Sequence, residues 1–586
     1  MGQFRFVRRI GGVFCGLLER AVASLHSAGQ QSGEAAVART GTAVLLAALA
    51  LTLVAGCGGS GSSAKAPKIV LRSFPTLHVE VNTGVDSLDP GLSYTSGCWQ
   101  SLWNVYLSPY GYQHVNGRAS SQIVPVLAEA MPDISKGGRV YTFRLRDGLS
   151  YSDGSLVQAA DFAYAIRRLY LLDSVGAPLF DDVVGSGVAE ARRGLISGIE
   201  TNDFTRSITV RLKRPSSTFI DALASLFAAP VPPGTPSRDQ TLEPIPSTGP
   251  YKISEVRWPK AFTLVRNRYF EPTETVPATN PDRIIVDVVD GGKVALEQLA
   301  TGDADYAAVP IAPASLEQAK RKSRLQLRAY TDASTHYFFM NTTQRPFNDV
   351  RVRRAVNYAL DRRQLVEIFG GRAVASENIL PPPYPSYTRH DLYPYNLAKA
   401  RALVQQAKVG GTRVTVFAPT QPVQARAAGR YLVRQLRAIG LKPRSAVTLL
   451  PPAHYWTTVG NKSTRAQIGY SFWTQSIPNP LAWFEPLLDG GETKGLANTN
   501  YSFANSADLN VAINRLARDP ELTPDVNAQW AALDRRAMRW APLAPFLNTR
   551  SFDAFSTRID LRCYVSNTLY GVDYGRLCLK RGSAAG

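Results

Sequence analysis

The most regular pattern of apolar and polar positions lies between Tyr337 and Leu365. Tyr337 to Met340 is a continuous apolar run, which is typical of a buried strand. Asn348 or Asp349 can then cap the helix that follows. The helix is predicted to bury an apolar stripe made by Val352, Val356, Ala359 and Leu360. Five arginines are expected mostly on the opposite, solvated face: Arg351, Arg353, Arg354, Arg362 and Arg363.

A second pattern predicts a strand, a helix and a strand in succession. Residues 284–289 form a continuous apolar run, residues 292–300 have helical spacing, and residues 305–309 form another strand-like run. Gly302 is expected to end the helix, because glycine adopts a left-handed conformation without steric cost. A unit of this kind joins parallel strands, so at least part of one sheet is predicted to be parallel.

Two longer helices are predicted nearer the C-terminus. Residues 424–439 have helical spacing, and residues 527–540 do so again. The second helix places its large apolar side chains on one face, namely Trp530, Leu533, Ala537 and Trp540. Pro542 and Pro545 end it, because proline cannot continue a helix. We interpret this apolar face as core packing rather than as a cofactor site.

The N-terminal region carries the pattern of an export signal. The apolar core of residues 41–57 is shorter than the roughly 20 residues that span a bilayer, and its length suits a signal-peptide core. Val54 to Cys57 matches the bacterial lipobox, in which small residues precede a cysteine that becomes lipidated, and a Gly/Ser-rich segment follows. We predict a signal peptide over residues 1–56 and a lipidated Cys57 that begins a flexible tether over residues 57–76.

Two alternatives remain for this region, an ordinary signal peptide and an anchor helix with an incidental cysteine. The forty residues that precede position 41 are long for the charged start of a signal peptide. Translation from Val37 would explain that length and would leave Arg39 as the positive charge.

Export makes the five cysteines informative, because disulfides persist outside the cytoplasm. Cys15 lies in the segment predicted to be removed, and Cys57 would carry lipid. Cys563 and Cys578 are close in sequence, and a disulfide between them is the favoured pairing, with Cys98 free or buried. A bond from Cys98 to either C-terminal cysteine is the alternative.

The net charge of the 586-residue chain is +20, and residues 57 onward keep +17, because the first 56 residues carry five Arg and two Glu. Such a balance suits nucleic acid, anionic membranes or acidic ligands. The arginines are scattered, however, and the sequence has no zinc-ligand spacing, RNA-binding signature or basic-region heptad. We therefore do not expect nucleic-acid binding. The length implies two or three domains.

A longer motif narrows the function. Residues 341–366, N-T-T-Q-x-P-F-N-D-V-R-V-R-R-A-V-N-Y-A-L-D-R-x-x-L-V, closely resemble the signature of family 5 extracellular solute-binding proteins. These are the receptors of ABC importers for peptides, nickel and related solutes. Residues 125–128 resemble the family's P-x-L-A segment, and residues 247–251 resemble its G-T-G-P-Y element. The resemblance covers about residues 79–560.

The resemblance implies an α/β fold of the two-lobe periplasmic-binding-protein type, in its large three-subdomain form, with mixed sheets and a discontinuous first lobe. We expect the core of lobe 1 to comprise residues 77–96, 245–335 and 545–586. Residues 97–244 are expected to form an insertion subdomain of lobe 1, and residues 336–544 are expected to form lobe 2.

The resemblance also implies ligand contacts. Tyr94 and Trp103 belong to a loop and helix that lie at the mouth of the family's ligand cleft, although two such aromatics can equally belong to the core. Peptide-binding members have a Trp, then an Asp three residues later that holds the peptide's α-amino group, and then an Asn, Asp or Glu before Pro. This chain keeps Trp473 and Asn479, but it has Ser476 at the Asp position.

The serine changes the expected ligand. An ammonium group buried without its partner costs about 2–5 kcal/mol. Peptides with a free amine should therefore bind roughly ten- to a few thousandfold more weakly than to a relative that has the Asp. Either another residue supplies the negative charge, or the ligand carries no ammonium at this position.

The predicted function is a lipid-anchored receptor that captures a peptide or another small solute and delivers it to the permease subunits of an ABC importer. We expect a monomer held by its lipid at the outer face of the cytoplasmic membrane, with no cofactor and no metal site. No nucleophile-and-base motif or zinc-protease motif occurs in the sequence, so we do not expect an enzyme. The alternative is a lipoprotein of the same fold that acts as a scaffold or regulator in envelope assembly, with no transported ligand.

Overall fold

The computed structural model describes residues 76–580 except for residues 83, 195, 312–314, 318–320, 322–324 and 494–497. The predicted signal peptide, Cys57 and the tether up to residue 75 lie outside the described residues. Over the described part of the chain, no helix has both the length and the apolar character that crossing a membrane requires.

The strands are short except around the centre of the molecule. In chain order they are β1 Thr76–Asn82, β2 Tyr110–Tyr112, β3 Ile123–Pro125, β4 Asp133–Ser135, β5 Val140–Arg144, β6 Ile199–Asn202, β7 Ser207–Arg211, β8 Tyr251–Arg257, β9 Ala261–Arg266, β10 Arg283–Val289, β11 Tyr306–Ala308, β12 Gln326–Thr331, β13 Ser334–Met340, β14 Ala373–Ala375, β15 Arg413–Val414, β16 Val416–Pro419, β17 Lys442–Pro443, β18 Thr448–Leu450, β19 Ile468–Thr474, β20 Leu543–Phe555, β21 Ile559–Asp560, β22 Ser566–Asn567, β23 Gly571–Val572 and β24 Cys578–Leu579.

The helices occupy both lobes. In chain order they are α1 Ser96–Leu102, α2 Ala159–Leu171, α3 Val188–Arg193, α4 Phe219–Leu223, α5 Gly292–Thr301, α6 Val350–Ala359, α7 Arg362–Ile368, α8 Leu397–Gln406, α9 Val423–Ala438, α10 Pro452–Gly460, α11 Leu481–Leu488, α12 Ala507–Leu516 and α13 Pro524–Trp540.

A twelve-stranded mixed sheet runs through the molecule. Ten of its strands follow the order β18-β16-β19-β13-β20-β11-β1-β10-β9-β8, and β12 and β14 pair with β20. The chain passes between the lobes along β12 and β13 and again along β20, which pairs with β13 at its start and with β11 and β12 at its end. The cleft between the lobes therefore opens beside these crossing strands.

The predicted strand–helix–strand unit is confirmed. It consists of β10, α5 and β11, and β1 pairs in parallel with both strands. Gly302 follows α5 with a φ of 88°, which is the left-handed conformation expected at this helix end. The long helices predicted at residues 424–439 and 527–540 correspond to α9 and α13.

The hydrophobic core is divided along the same lines as the sheet. The largest cluster joins β1, β10 and β11 to the part of the chain between residues 97 and 244, where β4, β5, β7 and β6 form a separate antiparallel sheet. Two further clusters lie on either face of β13 and contain side chains between residues 337 and 547. Separate hydrophobic clusters therefore lie on the two sides of the crossing strands.

The helix predicted after Asn348 is confirmed as α6. Asp349 is its cap, and its carboxylate accepts a hydrogen bond of 2.8 Å from the backbone N–H of Arg351. Val352, Val356, Ala359 and Leu360 are all buried, as the pattern predicted.

The expectation that the arginines of this segment are mostly solvated is wrong for two of them. Arg353 is only 2% exposed and Arg362 only 8%. Arg353 donates hydrogen bonds to the backbone oxygens of Trp540 and Phe347, and Arg362 donates to those of Ser376 and Pro545. Hydropathy placed both on the outside, but carbonyl groups at the ends of neighbouring elements provide a polar environment for them.

Candidate ligand cleft

A cavity of about 1070 Å³ lies between the lobes. Its volume reaches the upper end of the range of about 300–1,000 Å³ that is usual for small-molecule sites. Its lining includes all of β11, the last half of β12, and Thr474 and Gln475 at the end of β19, and the last half of β20 passes along the floor. Segments from both sides of the crossing strands therefore line this cavity.

Asp553 forms the most deeply buried acidic position of the floor. Asp553 is only 5% exposed. The hydroxyl of Tyr306 donates a hydrogen bond of 3.0 Å to Oδ1, and that of Tyr564 donates one of 2.7 Å to Oδ2. Gln100 donates in turn to the hydroxyl of Tyr306 at 3.1 Å. All four residues line the cavity, so the network is part of its surface.

Asp332 is the second acidic group of the lining. It lies at the turn between the crossing strands β12 and β13, and it is half-buried. Its Oδ2 accepts hydrogen bonds of 2.6 Å from Thr549 and 3.0 Å from Ser551, both on β20. These bonds hold the carboxylate against the floor between the two crossing strands.

Burial raises the pKa of both carboxyls. The pKa of Asp553 is raised to about 6, chiefly because its charged form is desolvated, while the hydroxyls of Tyr564 and Tyr306 act in the opposite direction and the negative charge of Asp332 adds to the rise. The pKa of Asp332 is also raised by desolvation. A cation beside the two groups would favour their charged forms and so offset this penalty.

Three arginines provide the opposite charge. Arg118, Arg372 and Arg550 all belong to the cavity lining. Arg372 lies with its guanidinium carbon 5.6 Å from the ring centre of Phe552, and Arg118 lies 5.4 Å from that of Tyr387 while it donates a hydrogen bond of 3.0 Å to the backbone oxygen of Pro382. A guanidinium offers paired donors to a carboxylate, so the lining near each arginine is suited to anionic groups.

The C-terminal segment forms one wall of the cavity. The lining residues of this segment are Tyr564, Ser566, Asn567, Thr568, Leu569, Tyr570 and Gly571. A disulfide between Cys563 and Cys578 closes the segment, with their Cα atoms 5.8 Å apart. Cys98 is buried and carries a free thiol. The wall therefore belongs to a loop whose two ends are joined by the disulfide.

The two aromatic residues predicted near the cleft mouth lie outside the cavity lining. Trp103 is 4% exposed and stacks on His114, with ring centres 4.1 Å apart, and on Tyr570, at 5.1 Å. Tyr94 is half-buried and packs against the core of lobe 1. Tyr570 belongs to the cavity lining and neither Tyr94 nor Trp103 does. Their contact with ligand stays a prediction.

The three predicted positions of lobe 2 follow β19. Trp473 donates its indole N–H to the backbone oxygen of Ala482 at 2.9 Å, and Ser476 lies in the bend after the strand. Asn479 is fully buried against the insertion subdomain. Among their neighbours, Thr474 and Gln475 line the cavity, whereas the three predicted residues are not part of the lining.

The charged residues of the cleft were not singled out from the sequence. Asp332, Asp553 and the three arginines come from four separate parts of the chain, and none of them belongs to a motif. The alternation of β20 puts Asp553 among apolar neighbours, which was the one available signal of a buried acid in a strand. Among the described residues, no group of three or more His, Cys, Asp or Glu side chains is arranged to hold a metal ion.

Comparison with known proteins agrees with this architecture. A family model described as bacterial extracellular solute-binding proteins, family 5 middle, matches residues 122–495. The glutathione-binding protein GsiB of Salmonella typhi is 30% identical over 430 residues, which cover 71% of this chain and 80% of that protein. The GsiB protein of Salmonella paratyphi A is 30% identical over 362 residues, which cover 60% of this chain and 66% of that protein. The match to the second relative thus spans slightly under two thirds of its length.

Solved structures resemble the chain over most of its length. Clavulanic acid biosynthesis oligopeptide binding protein 2 has a TM-score of 0.76 and 24% identity, with 86% of this chain and 96% of that chain covered. The open, unliganded form of the periplasmic murein tripeptide-binding protein MppA has a TM-score of 0.72 and 17% identity, with 86% and 98% covered. The predicted two-lobe α/β fold is therefore confirmed.

Proposed function

Because the chain belongs to the bacterial extracellular solute-binding proteins of family 5, we propose that it is the receptor of an ABC importer and captures a peptide or peptide-like solute between its lobes. The observation that carries this proposal is the charge arrangement of the cavity. Two carboxylates are embedded in the floor, and three arginines lie around it. A solute with one ammonium group and more than one carboxylate would match both.

The two buried carboxylates would supply the negative charge that is missing at Ser476. The charge that peptide-binding relatives place three residues after the Trp would here come from Asp332 and Asp553. Asp332 lies close to the start of this loop, because the backbone N–H of Gln475 donates a hydrogen bond of 3.1 Å to the backbone oxygen of Ala333. The ammonium group of the solute would pair with these buried carboxylates, in a charge-assisted hydrogen bond that contributes about 1.5–3 kcal/mol. Its carboxylates would face Arg118, Arg372 and Arg550.

Two similar proteins are named for, or were solved with, peptides or peptide-like solutes. The GsiB relatives are named for glutathione, which has one ammonium group and two carboxylates. The DppA protein of Helicobacter pylori, with a TM-score of 0.61, was solved with the peptide STSA. A tripeptide with surplus carboxylates would also suit the net positive charge of the chain.

The remaining steps follow the order of an import cycle. The solute would bind both lobes, and its higher affinity for the closed form would shift the lobes together. The closed monomer would then be presented to the permease subunits. A lipid on Cys57 would keep the exported receptor at the outer face of the cytoplasmic membrane.

A direct binding experiment tests this function. Thermal unfolding of the chain from Ser60 onward is measured with glutathione, dipeptides, oligopeptides, sugars, nickel chelates and cell-envelope fragments. A solute at 100 times its dissociation constant should stabilise the protein by about 2.7 kcal/mol. Titration calorimetry then compares the best solute with its N-acetylated and amidated forms.

We expect stabilisation by peptides that carry a free amine and at least two carboxylates, and weaker binding of both modified forms. A folded protein that binds none of these solutes would contradict the receptor function and would favour the ligand-free envelope lipoprotein. Binding that is indifferent to acetylation would contradict the role of the two aspartates.

A further inference from the structure

A fully buried contact joins lobe 2 to the insertion subdomain away from the cavity. The side-chain N–H groups of Asn479 donate one hydrogen bond of 2.8 Å to the backbone oxygen of Ser217 and another of 2.9 Å to Oδ2 of Asp221. Asn479 has no exposed surface, and Asp221 is 1% exposed. None of the three residues lines the cavity.

Each polar atom of the Asn479 side chain has a defined partner. Its Oδ1 accepts a hydrogen bond of 3.0 Å from the backbone N–H of Leu481 at the start of α11, so its N–H groups must point to the insertion subdomain. Across the contact, Oδ1 of Asp221 accepts a hydrogen bond of 3.0 Å from the hydroxyl of Tyr112. Hydrogen bonds on both sides of the contact therefore orient the pair.

The same loop of the insertion subdomain is held by a second element of lobe 2. The backbone N–H of Ser217 donates a hydrogen bond of 2.9 Å to the backbone oxygen of Ala517, which follows α12. The backbone N–H of Ser217 thus donates to Ala517, and its backbone oxygen accepts from Asn479. These bonds run between residues about 260 to 300 positions apart, and they do not involve the crossing strands.

We propose that Asn479 and Asp221 are positioning residues that hold the closed form of the receptor, and that they act on affinity without touching the solute. The inference rests on the proposed function in one respect, namely that lobe closure accompanies binding. Separating the lobes would leave the carboxylate of Asp221 and the amide of Asn479 without each other, so the contact can form only when the lobes are closed. Its hydrogen bonds thus favour the closed form relative to the open one.

This role gives a function to Asn479, which belongs to the motif after β19 but does not line the cavity. Asn479 and Pro480 follow Trp473 of β19, and Pro480 precedes the first residue of α11. In this chain the residue before that proline both starts the helix and crosses to the other lobe. At this contact the amide of Asn479 donates to the carboxylate of Asp221. An Asp at position 479 would place two carboxylates against each other, and they would repel.

The test measures lobe separation in the absence of solute. Nitroxide labels are attached to the full chain, purified in detergent, through Phe204→Cys in the insertion subdomain and Val511→Cys in lobe 2. These side chains are 94% and 70% exposed. Electron–electron distance measurements compare the chain with and without Asn479→Asp, which keeps the acceptor for the N–H of Leu481. A preparation that lacks the two introduced cysteines gives the background labelling.

We expect Asn479→Asp to reduce the population at the short distance by roughly tenfold. The exchanged pair, Asn479→Asp with Asp221→Asn, should restore much of that population, because an amide again faces a carboxylate. An unchanged distance distribution in Asn479→Asp would overturn the proposal. A long distance that the exchanged pair fails to shorten would also overturn it, since the effect would then belong to the start of α11.

Solute binding gives an independent readout. Asn479→Asp should lower the affinity for the best solute by roughly tenfold. The selectivity of the receptor between the amine and N-acetyl forms should stay unchanged, because no ligand-contacting group is altered. A change of selectivity would contradict the indirect role. If no solute binds the parent chain, the proposed function fails, but the distance measurement still decides whether the contact holds the lobes together.

Discussion

The hydroxyl of Tyr306 donates a hydrogen bond of 3.0 Å to Oδ1 of Asp553, on the floor of the cavity between the lobes. Tyr306 begins β11 and Asp553 lies near the end of β20, so the bond joins two paired strands of the central sheet. It keeps a carboxylate oriented where its charge is poorly solvated. A carboxylate with a fixed orientation and a desolvated charge is suited to pair with a cation.

Replacing Asp553 with Asn should change stability and solute affinity in opposite directions. At pH 7.5 the substitution removes a desolvated charge, so we expect the free energy of unfolding to rise by about 1–3 kcal/mol. Binding of an amine-bearing solute should weaken by roughly tenfold or more. Urea unfolding and calorimetry measure the two quantities. A variant that loses both stability and binding would show that the carboxylate is structural.

The pH dependence of stability follows from the same group. The folded pKa of Asp553 is about 6, above its ordinary value of 3.8, so the folded chain holds this proton more tightly than the unfolded chain does. Its contribution to stability is greatest below the ordinary pKa and is lost as the pH rises through about 6. We expect Asp553→Asn to flatten the stability profile between pH 4 and pH 7, as measured by urea unfolding at each pH.

Solute affinity should have the opposite pH dependence. An ammonium group needs the ionised carboxylate, so affinity for an amine-bearing peptide should fall as the pH drops below about 6. The N-acetylated form of the same peptide serves as the control, and its affinity should change much less. Equal pH dependence for the two forms would contradict pairing between the ammonium and Asp553.

The arginines can be tested by removing one charge at a time. Arg550→Gln should lower the affinity for a dicarboxylate peptide by roughly tenfold, because one charge-assisted hydrogen bond is lost. The diamide of that peptide should be nearly unaffected. Arg363→Gln removes an exposed arginine on α7 outside the cavity, so it controls for the change in net charge. Equal effects of the two substitutions would point to long-range attraction, which high salt would abolish.

The disulfide should matter for both stability and binding. It closes a loop of 15 positions, for which chain-entropy reasoning gives about 3 kcal/mol. The double substitution Cys563→Ser with Cys578→Ser should therefore lower the free energy of unfolding by about that amount. Affinity should fall too, because the cavity wall from Tyr564 to Gly571 loses its covalent closure. Adding a dithiol to the unsubstituted protein should reproduce both effects and should leave the double variant unchanged.

Arg353 provides a test of the buried arginines. Arg353→Met should lower the free energy of unfolding by about 2–4 kcal/mol, because the backbone oxygens of Trp540 and Phe347 lose their donor in a buried site. The exposed Arg363 serves as the control, and its replacement by Met should change stability by less than about 0.5 kcal/mol. Denaturant unfolding distinguishes the two. Similar small effects would contradict a structural role for Arg353.

The sequence by itself determined the local elements and the family. The apolar run at β13, the cap at Asp349, the stripe of α6 and the glycine after α5 all follow from interactions between residues near each other in the chain. Such interactions are encoded in short windows, so the pattern predicted them. The long motif over residues 341–366 narrowed the function for the same reason, since it is contiguous.

Only the tertiary structure decided which charged side chains meet in the cleft. Asp332 and Asp553 are 221 positions apart in the sequence, and their proximity depends on the pairing of β12 with β20. The burial of Arg353 and the contact of Asn479 with Asp221 likewise depend on distant carbonyls and on the second lobe. Burial and charge pairing are properties of the packed chain, because each is set by neighbours that periodicity cannot identify.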